Sequence, residues 1–366
     1  MLFEHDQRIV MTLDAGGTHF VFSAIQGCKE IVSPINFPSY ANNLDRCLDT
    51  TVDGFKKIRK ILPVQPVAIS FAFPGPADYP RGIIGDLPNL PAFRDGVALG
   101  PMLEEKFQLP VFINNDGDLY AYGESIAGYL PYINHLLEKA GNPRRFQNLL
   151  GFTLGTGFGG GIVHAGQLLS GDNSGAGEVW LLRNKLHNGM NAEESISIRA
   201  VQREYARLAS VPLDHVPSPK EIFEIGIGQR AGDRQAALGS FHHLAEVLGD
   251  AAANVVTIID GIVVLGGGLA GAYPLFLDRM VEEMNSNFVN LEGQSYRRLS
   301  PRVFNLEDEK DLHLFLTGEI RQIAVPGSEK KMIYDPLTRV GVGISRIGAN
   351  TAIAIGAYAF ALNKLS

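Results

Sequence analysis

Three short glycine stretches carry the first chemical signal in this 366-residue chain: "LDAGGTHF" at 13–20, "LGTGFGGG" at 154–161 and "VVLGGGLAG" at 263–271. Each follows an apolar run that reads as a strand. Glycine lets backbone N–H groups come close to an anion. No Gly-Lys-Ser/Thr follows, so none is a Walker loop, and the G-x-G-x-x-G spacing of a dinucleotide site is absent. One such stretch alone reads as a tight hairpin turn. Three strand ends of this kind point to a polyphosphate site built mostly from backbone amides.

These turns need elements to hold them. Strands are expected at 8–14, 19–25 and 30–37, and a helix at 43–62. An apolar strand at 67–73 runs into "PGPAD", and a proline-rich loop carries "LPNLPAF". A helix at 99–107 leads to a strand at 111–114, after which "NNDGDLYAYGES" begins a helix. Locally Asp116 reads as that helix's N-cap. A polar segment at 132–147 precedes a strand at 148–154, and a new strand starts at 161–164. A long helix is expected at 233–259. Strand, glycine turn, strand thus occurs twice, which suggests two similar α/β halves with a cleft between them. The last helix, 350–365, carries Ala352, Ala354, Gly356 and Ala357, small residues suited to close packing on a sheet. The expected domains are 1–115 rejoined by 350–366, and 116–349 with insertions near 128–147 and 287–347. The second insertion alternates apolar and polar residues and should add strands.

Composition excludes several classes. A chain this long holds roughly two domains. Its 45% hydrophobic and 19% charged residues are those of a globular protein. A net charge of −7 argues against a nucleic-acid surface. Cys28 and Cys47 form no C-x-x-C pair, which gives no cysteine-based zinc site and fits a reducing, cytoplasmic setting. No signal peptide is visible. The most apolar stretch, 251–273, is broken by Asn254, Asp260 and a glycine triplet and does not read as a membrane span.

The order of "LDAGGTHF", "FPGPAD", "LPNLPAF", "INNDGDLYAYGE", "LGTGFGGGIV", "GAGEVW", "VVLGGGL" and "AIAIGAYAFAL" resembles that of the ROK family (repressor, open reading frame, kinase) nearly end to end. The resemblance implies two ribonuclease-H-like domains of the actin-like ATPase, sugar kinase fold. It implies ATP and Mg²⁺ as cofactors and a hexose as phosphoryl acceptor. Gly16, Gly17 and Thr18, then Gly155, Thr156 and Gly157, and also Gly266, Gly267 and Gly268 would meet the nucleotide. Asp14 would hold Mg²⁺, through water, as hard cations prefer oxygen ligands; the alternative is a turn-capping carboxylate. Asp116 matches the family's catalytic base, with helix capping as its alternative. Asn115 would bind ring hydroxyls, and Gly75 and Asn89 would belong to loops that close over the sugar, with a proline-fixed turn as the alternative, equally good for Asn89. Glu178, and Glu193 with Ser197 four residues on, match glutamates that accept sugar hydroxyls; Glu194 is the fallback for Glu193, and an ordinary glutamate at a helix N-terminus is the alternative.

The pattern also breaks. Family members place a histidine three residues after the first glutamate, where this chain has Leu181. The segment "VWLLRNKLHNGMNA" contains no cysteine and only His187, so no structural zinc is expected. Trp180 would supply an apolar or stacking surface instead. The resemblance therefore implies an ATP-dependent sugar kinase, expected as a homodimer, with no nucleic-acid or membrane partner. A catalytically weak sugar- or nucleotide-binding regulatory protein is the alternative. A DNA-binding repressor is not expected, since fewer than twenty residues precede "AGGT". Nothing in the residues selects among hexoses.

Overall fold

In the computed structural model, which describes residues 3–85, 87 and 90–366, strand β1 (Val10–Ala15) turns its side chains alternately to two faces. Met11 and Leu13 enter one core with Phe20, Phe22 and Ala24 of β2 (His19–Gln26). Helix α1 (Leu44–Ile61) closes that core with Phe55. Val10 and Ile25 face the other way, where Tyr358, Ala361 and Leu362 of the C-terminal helix (Ala349–Lys364) cover them. The sheet continues through parallel strands at Ala68–Ala72 and Val111–Asn114. The expected strand at 30–37 is instead two short strands, Lys29–Glu30 and Ile35–Pro38, both paired to β2. Pro34 lies between them and cannot donate to a ladder.

This first compact unit comprises residues 1–128, 161–177 and 347–366. The expected break after residue 115 falls just before helix Asp116–Ile126. That helix lies within the unit because it packs tightly on the C-terminal helix. A Cβ at Gly123 would collide with the Ala352 carbonyl, and one at Gly356 with the Leu119 carbonyl. Glycine at both positions brings the two backbones together.

The second unit comprises residues 129–160 and 178–346. Its parallel strands run in the order Leu149–Leu154, Ile262–Gly266, Arg339–Ile344 and Arg302–Asn305. The long helix, Arg234–Ile259, starts where Asp233 accepts the Ala236 N–H. The first half of the segment read as polar, 132–147, belongs to helix Tyr129–Lys139, which buries Tyr129, Leu130, Ile133 and Leu137 along one stripe. The 287–347 segment divides its strands between two roles. Two of them, Arg302–Asn305 and Arg339–Ile344, complete the central sheet. The others form two hairpins, Asn287–Val289 with Ser295–Arg297 and Arg321–Ala324 with Lys331–Tyr334. Among the described residues no helix is long and apolar enough to cross a membrane.

Candidate active site

Register brings the first group of residues together. In the first unit Asp14 pairs with Ala72, and Ala72 pairs with Asn114, so three parallel strands end side by side. Ligands of open α/β sheets bind beyond such carboxyl ends. The chain then turns into helix Asp116–Ile126 with Asp116 as its first residue. The N-cap is Asn115, whose Oδ1 accepts the Gly117 N–H at 2.8 Å. The capping reading of Asp116 is therefore corrected: the cap lies one residue earlier. Asn115 keeps its side-chain NH₂ as the group it can offer a ligand. Asp116 Oδ1 also accepts the Gly117 N–H, at 2.8 Å.

Both aspartates are shifted upward. Burial raises the Asp116 carboxyl above the ordinary aspartate range, against the pull of the Gly117 N–H. Burial, and then the charge of Asp116, raise Asp14. Both side chains still reach solvent. Asp14 opens onto a cavity of about 310 Å³ that Thr12, Ser23, Glu30, Asn350 and Thr351 also line. A carboxylate whose ionisation is hindered by a neighbouring carboxylate favours a cation beside it.

The first glycine turn follows Asp14 directly. The Gly16 N–H donates to the His19 carbonyl at 3.0 Å. A Cβ on Gly16 would stand 2.9 Å from that same oxygen, so the turn needs glycine there. Neither the Gly17 N–H nor the Thr18 N–H has a partner among the described residues. The turn is held from outside by Ser39, which is 1% exposed. Its Oγ donates to the Gly17 carbonyl at 2.6 Å, and its N–H donates to the Thr18 carbonyl at 3.0 Å. Sequence reasoning missed Ser39, since a lone serine after a strand carries no pattern.

The second unit repeats the arrangement. The Gly155 N–H donates to the Gly157 carbonyl at 3.0 Å, and the Thr156 and Gly157 N–H groups have no partner among the described residues. The Gly155 carbonyl accepts the Ile198 N–H at 2.8 Å. Glu193 Oε2 accepts the Phe158 N–H at 3.0 Å, and Arg199 lies 3.6 Å from its other oxygen. Glu194 instead pairs with Arg203 at 2.7 Å. Gly266 pairs with Thr153, and Leu269 donates to the Leu154 carbonyl at 3.0 Å, so the third glycine cluster borders the second turn. Gly267 has φ +87°, and a Cβ there would meet the Leu154 carbonyl at 2.5 Å.

The remaining expected residues fall elsewhere. Gly75 precedes Pro76 across a cis bond and packs against the Tyr79 hydroxyl. Asn89 lies outside the described residues. Glu178 accepts a hydrogen bond from the Trp180 indole N–H, so Trp180 has a polar tie besides its apolar face. Leu181 is exposed. Among the described residues no three or more His, Cys, Asp or Glu side chains gather so as to hold a metal ion. The 183–192 loop is organised by Asn184, which is fully buried. Its Oδ1 accepts the Leu186 and His187 N–H groups, and its Nδ2 donates to the Asn191 carbonyl and Ser195 Oγ.

Comparison with known proteins adds a second line of observation. Residues 10–308 match the model of the ROK family. A glucokinase of Halalkalibacterium halodurans is 29% identical over 72% of this chain and 82% of its own. An N-acetyl-D-glucosamine kinase of Vibrio cholerae is 25% identical over 76% of this chain and 90% of its own. The crystal structure of a glucokinase from Parabacteroides distasonis is 54% identical, covers 99% of both chains and superposes with a TM-score of 0.91.

Proposed function

Since the chain belongs to the ROK family and is an ATP-dependent carbohydrate kinase of the actin-like ATPase fold, we propose that it transfers the γ-phosphoryl group of ATP to the primary hydroxyl of a hexose, with glucose first among acceptors and Asp116 as the base. The observation that carries this reading is the pair of glycine turns, each ending its backbone bonding one residue before two unpaired amides. Such amides suit phosphate oxygens. Gly17 and Thr18 would serve one set, and Thr156 and Gly157 the other, with Gly266–Gly268 supporting the second turn.

Asp116 sits at the end of the parallel strands with a carboxyl that burial pushes up. A base of raised pKa takes a hydroxyl proton more readily than an ordinary aspartate. The acceptor oxygen then attacks the γ-phosphorus as the bond to the departing diphosphate breaks, and the proton stays on Asp116. Asp14 would hold Mg²⁺, which offsets charge on the transferring phosphoryl group when bound. The donor set fits: a carboxylate at a strand end whose charged form is disfavoured by burial and then by a second carboxylate. With so few protein oxygens, most ligands to the ion would be water, as magnesium prefers. Asn115 Nδ2 of the first unit would offer a donor to a sugar hydroxyl, and the Glu178 carboxylate of the second unit would offer an acceptor.

The test is an assay of ADP release across glucose, mannose, fructose and N-acetylglucosamine with and without Mg²⁺. Turnover with at least one hexose, dependent on Mg²⁺ and highest for glucose, is expected. Absence of ADP release with every sugar, in protein that binds nucleotide, would overturn the reading in favour of a binding protein.

A further inference from the structure

Peptide planarity links the outside of each glycine turn to its inside. Across a trans peptide the C=O and the following N–H point in opposite directions. Ser39 Oγ draws the Gly17 carbonyl to itself at 2.6 Å. The Thr18 N–H, on the same peptide, is thereby turned away from Ser39 and left unpaired. The Ile198 N–H draws the Gly155 carbonyl at 2.8 Å, which turns the Thr156 N–H outward in the same manner. The next peptide but one is fixed at both ends. Its Gly157 carbonyl accepts from Gly155, and its Phe158 N–H donates to Glu193 Oε2 at 3.0 Å.

We propose that Ser39 and Glu193 are positioning residues for the nucleotide, each clamping one glycine turn from behind so that its free amides are aimed at phosphate oxygens before ATP arrives. Neither side chain needs to touch the ligand. Glu193 is suited to this by the absence of a side chain on Gly157, where a Cβ would stand 2.5 Å from Glu193 Oε2. The carboxylate that the family pattern assigns to sugar hydroxyls thus has one oxygen committed to the phosphate turn. Ser39 is suited by its burial, which shields its hydrogen bond to the Gly17 carbonyl from competing water.

The inference rests on the kinase reading and concerns one half of it, the nucleotide. Calorimetric binding of the non-hydrolysable analogue AMPPNP with Mg²⁺ reads it without turnover. Ser39→Ala and Glu193→Ala are each expected to weaken AMPPNP about tenfold, the scale of one misaimed hydrogen bond to a charged group. In turnover assays the KM for ATP should rise while the KM for sugar stays put. Ser39→Thr and Glu193→Gln keep the hydroxyl donor and the carbonyl acceptor, and both are expected to recover most of the affinity. If an alanine variant fails to fold, Ser39→Cys, with its weaker donor, is expected to show the same loss. Wild-type protein that does not bind AMPPNP overturns both this inference and the kinase reading. Full AMPPNP affinity in folded Ser39 and Glu193 variants, or a defect confined to the sugar KM, overturns the clamps alone.

Discussion

The Asp116 carboxyl carries a folding cost at neutral pH. It is pushed up in the folded chain, chiefly by burial. The folded state therefore holds a proton on Asp116 at pH values where the unfolded chain has lost it. By linkage, stability from this group falls as pH rises from the ordinary aspartate value, about 3.9, through the raised one. Asp116→Asn should melt higher than wild type at neutral pH, and the gap should close as pH falls below about 4. The same change should lower kcat by about 10²–10⁴-fold. A thermal melt series across pH, run beside the turnover assay, checks both. Activity retained by the asparagine variant would remove Asp116 as base. Asn115 answers a different question, since the cap belongs to it. Asn115→Ala should cost about 1 kcal/mol of stability by denaturant titration. It should also raise the sugar KM, because the side-chain NH₂ goes with the cap.

The helix that carries Asp116 is placed by glycines on two sides. Gly123 and the C-terminal helix's Gly356 set its distance from that helix. Gly161 sets its first turn: a Cβ there would collide with the Gly117 carbonyl and meet the Ala121 Cβ at 2.8 Å. Gly161→Ala must push the helix N-terminus away from its seat. We expect a loss of about 1–3 kcal/mol, as for other overpacked cores, together with a fall in kcat beyond what the stability loss explains. Far-ultraviolet melts and single-turnover rates separate the two effects. A variant that keeps both stability and rate would show that this contact does not position Asp116. The small residues of the C-terminal helix were legible as close-packing positions because four of them recur within one short apolar segment, but Ala352 and Gly356 pack on helix Asp116–Ile126 and not on the sheet that the sequence suggested. The role of Gly161 was not legible, since a strand glycine gives no sign of what lies across from it. The glycine turns could be read from their type and repetition. Ser39 could not, because what singles it out is a hydrogen bond to residue 17, more than twenty positions back. The helix at 129–139 was hidden by His135, Glu138 and Lys139, which are exposed and interrupt its apolar residues in sequence.

At the scale of the whole molecule, the first unit is sewn from three stretches of chain and the second from two. The C-terminal helix is the last of these stretches, and it covers one face of the sheet that opens the sequence. Deleting residues 347–366 should leave Val10, Ile25 and Ala68 uncovered while sparing every residue of the second unit. Proteolysis of the truncated protein should then nick the first unit rapidly and release a resistant fragment within 178–346. Equal resistance of both units would refute that division of labour.

That same covering helix has a consequence for how the chain is made. A ribosome adds about 5–20 residues per second and delivers the N-terminus first. The opening sheet thus emerges early, with its second face bare, and must wait through the synthesis of the entire second unit for its cover. The second unit, whose strands all lie between residues 149 and 344, can close while the tail is still inside the exit tunnel. The nascent chain therefore carries an exposed apolar sheet face throughout the synthesis of the second unit. That face is covered only when helix Ala349–Lys364 leaves the tunnel.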